Sequence, residues 1–161
     1  MADNKSQFAD SLMRYLEGEY GDMNGQPLCQ SPIEGMMMWA LSAVGALQSG
    51  GENVISIHAQ HQIGSYRVDF LVTVTYVRPP HWSAQIIVEC DGHDFHEKTK
   101  EQASRDKKRE RDLQAAGFSV FRFSGSDIWK DVCACALEVF EFLDGEISKQ
   151  DFKHFRQEGQ E

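Results

Sequence analysis

The most informative stretch of the chain reads Ile86-Ile87-Val88-Glu89-Cys90-Asp91-Gly92-His93-Asp94-Phe95-His96, an apolar strand that runs straight into carboxylate and histidine side chains. Successive side chains of a strand point to opposite faces, so Glu89 and Asp91 share one face, roughly 6.6 Å apart along the chain. Two carboxylates on one face repel each other unless a cation lies between them. Mg²⁺ is the natural candidate, because this hard cation takes oxygen ligands and needs only one or two protein carboxylates besides substrate phosphate. The stretch therefore predicts a hydrolytic site at the end of a strand.

Length and composition predict one globular domain. The chain has 161 residues, of which 41% are hydrophobic, enough apolar material for a core of its own. No apolar stretch approaches the ~20 residues that span a bilayer, and the segment 1–5 lacks the apolar run of a signal peptide, so we expect a cytoplasmic location. The four cysteines form no CxxC pair, which favours reduced structural thiols over a zinc site or disulfides.

The charge distribution bears on whether the ligand is a nucleic acid. A net charge of −9 argues against one, because phosphate binders usually carry a basic surface. The acid excess, however, lies in the first thirty-five residues and after Glu138, whereas a local basic stretch follows the carboxylates at Lys98, Lys100, Arg105, Lys107, Lys108, Arg109 and Arg111. Such a run is equally typical of a solvated helix face with alternating charges, so both interpretations stay open.

Hydrophobic periodicity predicts an α/β domain. The predicted elements are, in chain order, a helix over 6–20, a helix from 31 to the Gly50-Gly51 stop, strands over 54–58, 66–77 and 85–91, a helix over 98–116, a strand over 118–123 and a helix over 127–143. Ser31 is placed to cap the second helix, and Glu34 completes a capping box. The first three strands predict an antiparallel meander. The unit from 85 to 123 is a crossover, so the fourth strand should lie parallel to the third in a mixed sheet covered by helices.

Asp69 is a further candidate for the site, because it interrupts the otherwise apolar strand from Tyr66 to Val72. A carboxylate in such a strand carries a desolvation cost unless a partner offsets it. A salt bridge with Arg67 or Arg122, or a position on an edge strand, is the structural alternative to a role in the site.

Four motifs in fixed order now carry a resemblance. They are Ser31-Pro32-Ile33-Glu34, Tyr66-Arg67-Val68-Asp69-Phe70, Glu89-Cys90-Asp91-Gly92-x-x-x-His96 and Arg105-Asp106-x-x-Arg109-x-x-x-Leu113-x-x-x-Gly117-Phe118-x-Val120. Together they resemble the very-short-patch-repair-like endonucleases of the PD-(D/E)XK nuclease superfamily. The resemblance implies a restriction-endonuclease-like fold, a mixed sheet of about four strands flanked by helices. It spans about 31–130, the core of a single nuclease-like domain over 1–145. The polar composition of the tail over 146–161 is typical either of a short docked helix or of disorder.

The resemblance also implies a metal site. Asp69 stands at the central metal-ligating aspartate, Glu89 at the second acidic position, and the backbone carbonyl of Cys90 at a position that often adds a ligand. Asp91 stands where the superfamily has a lysine, and a carboxylate there would act as a base or as a further ligand. The implied cofactor is Mg²⁺, for which Mn²⁺ substitutes.

The remaining site residues are implied in the same way. His96 matches the catalytic histidine, a group that accepts a proton from water near neutral pH. Glu34 and Asp106 match acidic positions that orient this histidine or hold metal-bound water, although Asp106 fits equally well into an intrahelical charge pattern with Arg109. Phosphate contacts are expected from Lys98, Lys100 and Arg105.

The function implied is Mg²⁺-dependent endonucleolytic hydrolysis of DNA. Two alternatives remain open at this point. The same fold can serve as a non-catalytic nucleic-acid-binding or assembly module, and the acidic surface and amphipathic last helix can serve protein recognition, in a homodimer or in a larger restriction, repair or mobile-element complex.

Overall fold

The computed structural model describes residues 29–48, 53–92 and 100–158, the last four of these by their backbone alone. The predicted helix over 6–20 lies outside these residues. The elements are α1 (Pro32–Gln48), β1 (Asn53–Ile63), β2 (Tyr66–Tyr76), β3 (Ser83–Asp91), α2 (Lys100–Ala115), β4 (Ser119–Ser124) and α3 (Gly125–Glu158). In these parts of the chain, no helix is long and apolar enough to cross a membrane.

The four strands form one mixed sheet in the order β1-β2-β3-β4. The first three strands are antiparallel to one another, and β4 pairs with β3 in parallel after the crossover through α2. Between β1 and β2 the chain reverses at Gly64, which has the positive φ of 59° that glycine adopts without strain. The α/β fold with a mixed sheet and flanking helices, predicted from the element order, is confirmed.

Helices cover both faces of the sheet. The larger cluster joins one face to α1 and α3 through buried residues such as Phe70, Ile86, Met37, Leu41 and Phe140. The smaller cluster lies on the opposite face under α2 and consists of Val68, Leu71, Ile87 and Leu113, with partly buried neighbours around it. Because β3 is covered on both faces, its apolar residues run consecutively instead of alternating with polar ones.

Helix α3 is longer than predicted. The predicted end at Leu143 is wrong, because the helix continues to Glu158. Ile147 extends the apolar stripe and is buried. Gln150 donates a hydrogen bond from Nε2 to the Ser83 carbonyl at 2.9 Å, and the Trp82 indole donates one to Asp151. These contacts tie the start of the presumed polar tail to the beginning of β3.

Near its start, α3 also contains a break. Asp131 has extended backbone angles (φ −161°, ψ 86°), and its Oδ1 accepts a hydrogen bond from the Ala134 amide at 2.9 Å. The side chain thereby caps the longer second part of the helix.

Candidate active site

The site begins where β2 and β3 stop pairing. The last paired residues are Phe70 and Val88. Asp69 and Glu89 lie one residue beyond this pair, at the end where the two strands separate. The Cys90 amide donates a hydrogen bond to Asp69 Oδ2 at 2.8 Å. An edge-strand explanation for Asp69 is wrong, because β2 lies between β1 and β3. Within the described residues Asp69 forms no salt bridge with Arg67 or Arg122 either.

Strand β1, which pairs with β2, has an irregular backbone opposite Asp69. Gln60 of β1 has a φ of 49°, a left-handed conformation uncommon for residues other than glycine. Phe70 and Val68, two residues apart in β2, pack in different clusters, so the regular alternation of faces is broken at Asp69. Such irregular backbone conformations concentrate at functional sites.

Glu34 joins this region to α1. It is only 7% exposed, and its carboxylate accepts hydrogen bonds from Ser31 Oγ at 2.8 Å, the Gln30 amide at 2.9 Å and Gln60 Nε2 at 2.8 Å. The Glu34 amide in turn donates to Ser31 Oγ at 3.3 Å. The capping box predicted from the sequence is therefore present, and the bond from Gln60 adds a link to β1 that the sequence pattern does not contain.

The two central carboxylates are protonated more easily than ordinary ones. Burial raises the pKa of Asp69 to about 6, and the nearby charges of Glu89 and Glu34 raise it as well, whereas the Cys90 amide and Arg109 oppose the shift. Burial also raises the pKa of Glu89, against the effect of its hydrogen bond from Arg109. Desolvation disfavours the charged form of a carboxylate, so both groups gain from a nearby cation.

Arg109 of α2 supplies such a cation. Its Nη2 donates to Glu89 Oε1 at 2.6 Å and to the Arg67 carbonyl at 2.8 Å, so one guanidinium bridges the separated ends of β2 and β3. From the sequence, Arg109 belongs to the basic stretch, to the fourth motif and to a helical charge pattern, but it was not predicted as a site residue. Its spacing did contain a signal, because Arg109 precedes the buried Leu113 by one helical turn and therefore faces the sheet.

Asp91 also has an arginine beside it. Arg122 Nη1, on the neighbouring strand β4, lies 3.4 Å from both carboxylate oxygens of Asp91. Cys90 lies between Glu89 and Asp91 in the sequence. Burial has the largest effect on its thiol and raises the pKa, and the nearby charge of Asp69 raises it further. The thiol therefore stays protonated. All four cysteines are free thiols.

One comparison with known proteins identifies the family. The model of REase_MTES_1575, a restriction-endonuclease-like family, matches residues 45–143, more than half of the chain. The chain belongs to this restriction-endonuclease-like family. Searches of the curated proteins and of the solved structures return no match. The matched range covers the whole sheet of this family member and includes Asp69, Glu89 and Arg109, whereas Glu34 precedes it. Membership in a restriction-endonuclease-like family indicates a nuclease.

The remaining predicted site residues of this restriction-endonuclease-like protein either belong to α2 or precede it in the sequence. Lys100 is the first residue of α2 and is exposed, as is Arg105, whereas Asp106 is half-buried on the same helix. His96 and Lys98 lie outside the described residues. The roles proposed for all five of these residues stay predictions.

The donor set fits a Mg²⁺ site completed by water and substrate. In the described part of the chain, no group of three or more His, Cys, Asp and Glu side chains is arranged to hold a metal ion. The predicted ligands, namely the carboxylates of Asp69 and Glu89 and the backbone carbonyl of Cys90, are hard oxygen donors of the kind that Mg²⁺ uses together with water and phosphate oxygens. The ion pair with Arg109 shows that the Glu89 carboxylate is charged and accepts a cationic partner. The residues therefore fit the predicted ion, but not an all-protein metal cage.

Proposed function

We propose that this protein is a metal-dependent endonuclease that hydrolyses DNA phosphodiester bonds at Asp69 and Glu89. The observation that carries the proposal is the meeting of these two partly desolvated carboxylates where β2 and β3 separate, in a chain of a restriction-endonuclease-like family. Families of this description act on nucleic acids, and DNA is the substrate class that the family name favours.

Each residue has a defined task in this proposal. Asp69 and Glu89 hold Mg²⁺, or Mn²⁺ in its place, with the Cys90 carbonyl as a further ligand. The bound ion supplies positive charge that stabilises the transition state at phosphorus and makes water a better nucleophile. His96 accepts the proton of the attacking water, and Glu34 or Asp106 orients it.

The neighbouring groups position the substrate. Lys98, Lys100 and Arg105 contact phosphates on either side of the scissile bond. Asp91 stands where the PD-(D/E)XK superfamily has a lysine, and we assign to it a role as a base or as a further ligand. The order and spacing of the four motifs support a finer proposal, that the chain is related to the very-short-patch-repair-like endonucleases of the PD-(D/E)XK superfamily.

One observation favours a second function, that of a non-catalytic nucleic-acid-binding module. Glu89 and Asp91 each lie beside an arginine, at 2.6 Å and 3.4 Å, so both carboxylates have a positive partner without any metal. A carboxylate kept only for such a structural pair would not need to bind Mg²⁺.

Cleavage assays separate the two functions. Labelled single-stranded, duplex and branched DNA is incubated with Mg²⁺ or Mn²⁺ and the parent protein, Asp69→Asn, Glu89→Gln or His96→Ala. Glu138→Gln, a change at an exposed position of α3, is the matched control. We expect cleavage by the parent and the control and loss of cleavage in the three site variants, with folding checked by circular dichroism. Absence of cleavage on every substrate, or equal cleavage by the variants, would contradict the proposed site.

A further inference from the structure

Arg109 forms an ion pair that is largely withdrawn from solvent. Its side chain is 20% exposed and that of Glu89 is 9% exposed, and the two are joined by a 2.6 Å hydrogen bond. Exposed ion pairs contribute little to stability, but a shielded pair holds its partners firmly because separating them leaves a charge without a partner. The bond to the Arg67 carbonyl fixes the guanidinium further.

This guanidinium acts on both carboxylates of the candidate metal site. Its positive charge lowers the pKa of Glu89 and also that of Asp69, against the effect of burial on each. Arg109 is therefore close enough to both groups to affect their charge state. A divalent cation held by the same two carboxylates would lie near the guanidinium, and like charges in a partly desolvated site repel strongly.

We propose that Arg109 occupies Glu89 in the metal-free protein, competes with the divalent cation for this carboxylate, and moves to a substrate phosphate when the cation binds. This inference rests on the proposed metal site at Asp69 and Glu89. It assigns Arg109 two partners, a carboxylate before metal binding and a phosphate afterwards.

The chemistry of the side chain suits both partners. A guanidinium carries its donors in a planar fork that matches a phosphate as well as a carboxylate. The same helix carries the exposed Lys100 and Arg105, which are the proposed phosphate contacts. Release from Glu89 would free the charge of the Arg109 guanidinium to contact a substrate phosphate beside these two residues.

Metal-binding calorimetry tests the competition without reference to cleavage. Mn²⁺ is titrated into the parent, Arg109→Gln, Arg109→Lys and the control Arg111→Gln, which changes an exposed arginine of the same helix. A hydrogen bond between charged groups is worth enough to change an equilibrium constant by about ten- to hundredfold. We expect Arg109→Gln to bind Mn²⁺ at least about tenfold more tightly than the parent. Arg109→Lys, which lacks the fork, should lie between them, and Arg111→Gln should match the parent.

The possible results have different consequences. If Mn²⁺ binds to the parent and Glu89→Gln abolishes this binding, but Arg109→Gln binds no more tightly, the competition is refuted and the proposed metal site stands. If neither the parent nor any variant binds Mn²⁺, the metal site and this inference fail together. Should Arg109→Gln prove unfolded by circular dichroism, Arg109→Lys decides the question, and affinity equal to or weaker than that of the parent refutes the competition.

DNA binding tests the second partner. Anisotropy of a fluorescent DNA duplex is measured with Ca²⁺ and with EDTA, for the parent, Arg109→Gln and Arg111→Gln. We expect Arg109→Gln to weaken DNA binding by about tenfold with Ca²⁺ and to change it little with EDTA, where Arg109 remains on Glu89. Equal weakening in both conditions, or none in either, would show that metal binding does not transfer Arg109 to the phosphate.

Discussion

Replacement of Asp69 by asparagine is expected to stabilise the metal-free protein at neutral pH. Burial raises the pKa of Asp69 from its ordinary 3.8 to about 6, and the charges of Glu89 and Glu34 act in the same direction. The folded protein therefore resists ionisation of this carboxyl. Asparagine is close in size, and its side-chain oxygen can accept the hydrogen bond that the Cys90 amide now donates to Asp69.

The size and sign of the effect follow from linkage between folding and protonation. A difference between 3.8 and about 6 corresponds to about 3 kcal/mol at most, at about 1.4 kcal/mol per pKa unit. Solvent reaches part of the carboxylate, so we expect about 1–2 kcal/mol. Well below pH 3.8 Asp69 is protonated in both the folded and the unfolded chain, so it costs nothing there. The cost grows as the pH rises towards 6 and is complete above it.

Urea unfolding followed by circular dichroism measures this difference. The parent and Asp69→Asn are compared in EDTA at about pH 4 and about pH 7.5. The variant should gain clearly more stability at the higher pH than at the lower one, where most of the cost has not yet developed. Asp127→Asn is the control of opposite sign, because the hydroxyl and amide of Ser124 lower the pKa of Asp127, and its replacement should destabilise the protein at neutral pH. If the Asp69 variant is no more stable than the parent at neutral pH, or is equally stabilised at both pH values, ionisation of Asp69 does not destabilise the fold.

Three further predictions concern the same part of the fold. Mg²⁺ should raise the Tm of the parent but not of Asp69→Asn or Glu89→Gln, and an equal rise in all three would exclude these carboxylates as ligands. Gln60→Ala should lower the free energy of unfolding by about 1–3 kcal/mol, because Glu34 loses a donor, and Gln60→Gly should lower it less, because glycine relieves the φ of 49°. Equal losses in chemical denaturation would show that this conformation is unstrained. Leu113→Ala should cost about 2–5 kcal/mol in the same measurement, since this side chain of α2 packs on the sheet and is 2% exposed. A loss below about 1 kcal/mol would mean that α2 contributes little to the core.

Several features of the fold could be predicted because they depend on neighbours in the chain. The alternation of β-branched residues and the helical periodicity are local, and they were sufficient to order the strands and to make β4 parallel to β3. The capping box of Ser31 and Glu34 spans only three residues. In α3, by contrast, the polar composition after Leu143 left a docked helix and disorder equally open. The structure has the helix, because its buried Ile147 and its contacts with Ser83 and Trp82 depend on the distant start of β3.

Short-range periodicity was sufficient to predict the α/β class, the order of the elements and the strands on which Asp69 and Glu89 lie. The meeting of the polar groups in the site, by contrast, became visible only in the folded chain. The bonds from Gln60 to Glu34, from the Cys90 amide to Asp69 and from Arg109 to Glu89 join residues 26, 21 and 20 positions apart. Their formation depends on how the helices pack on the sheet and where β2 and β3 separate, and no local pattern of side chains encodes either.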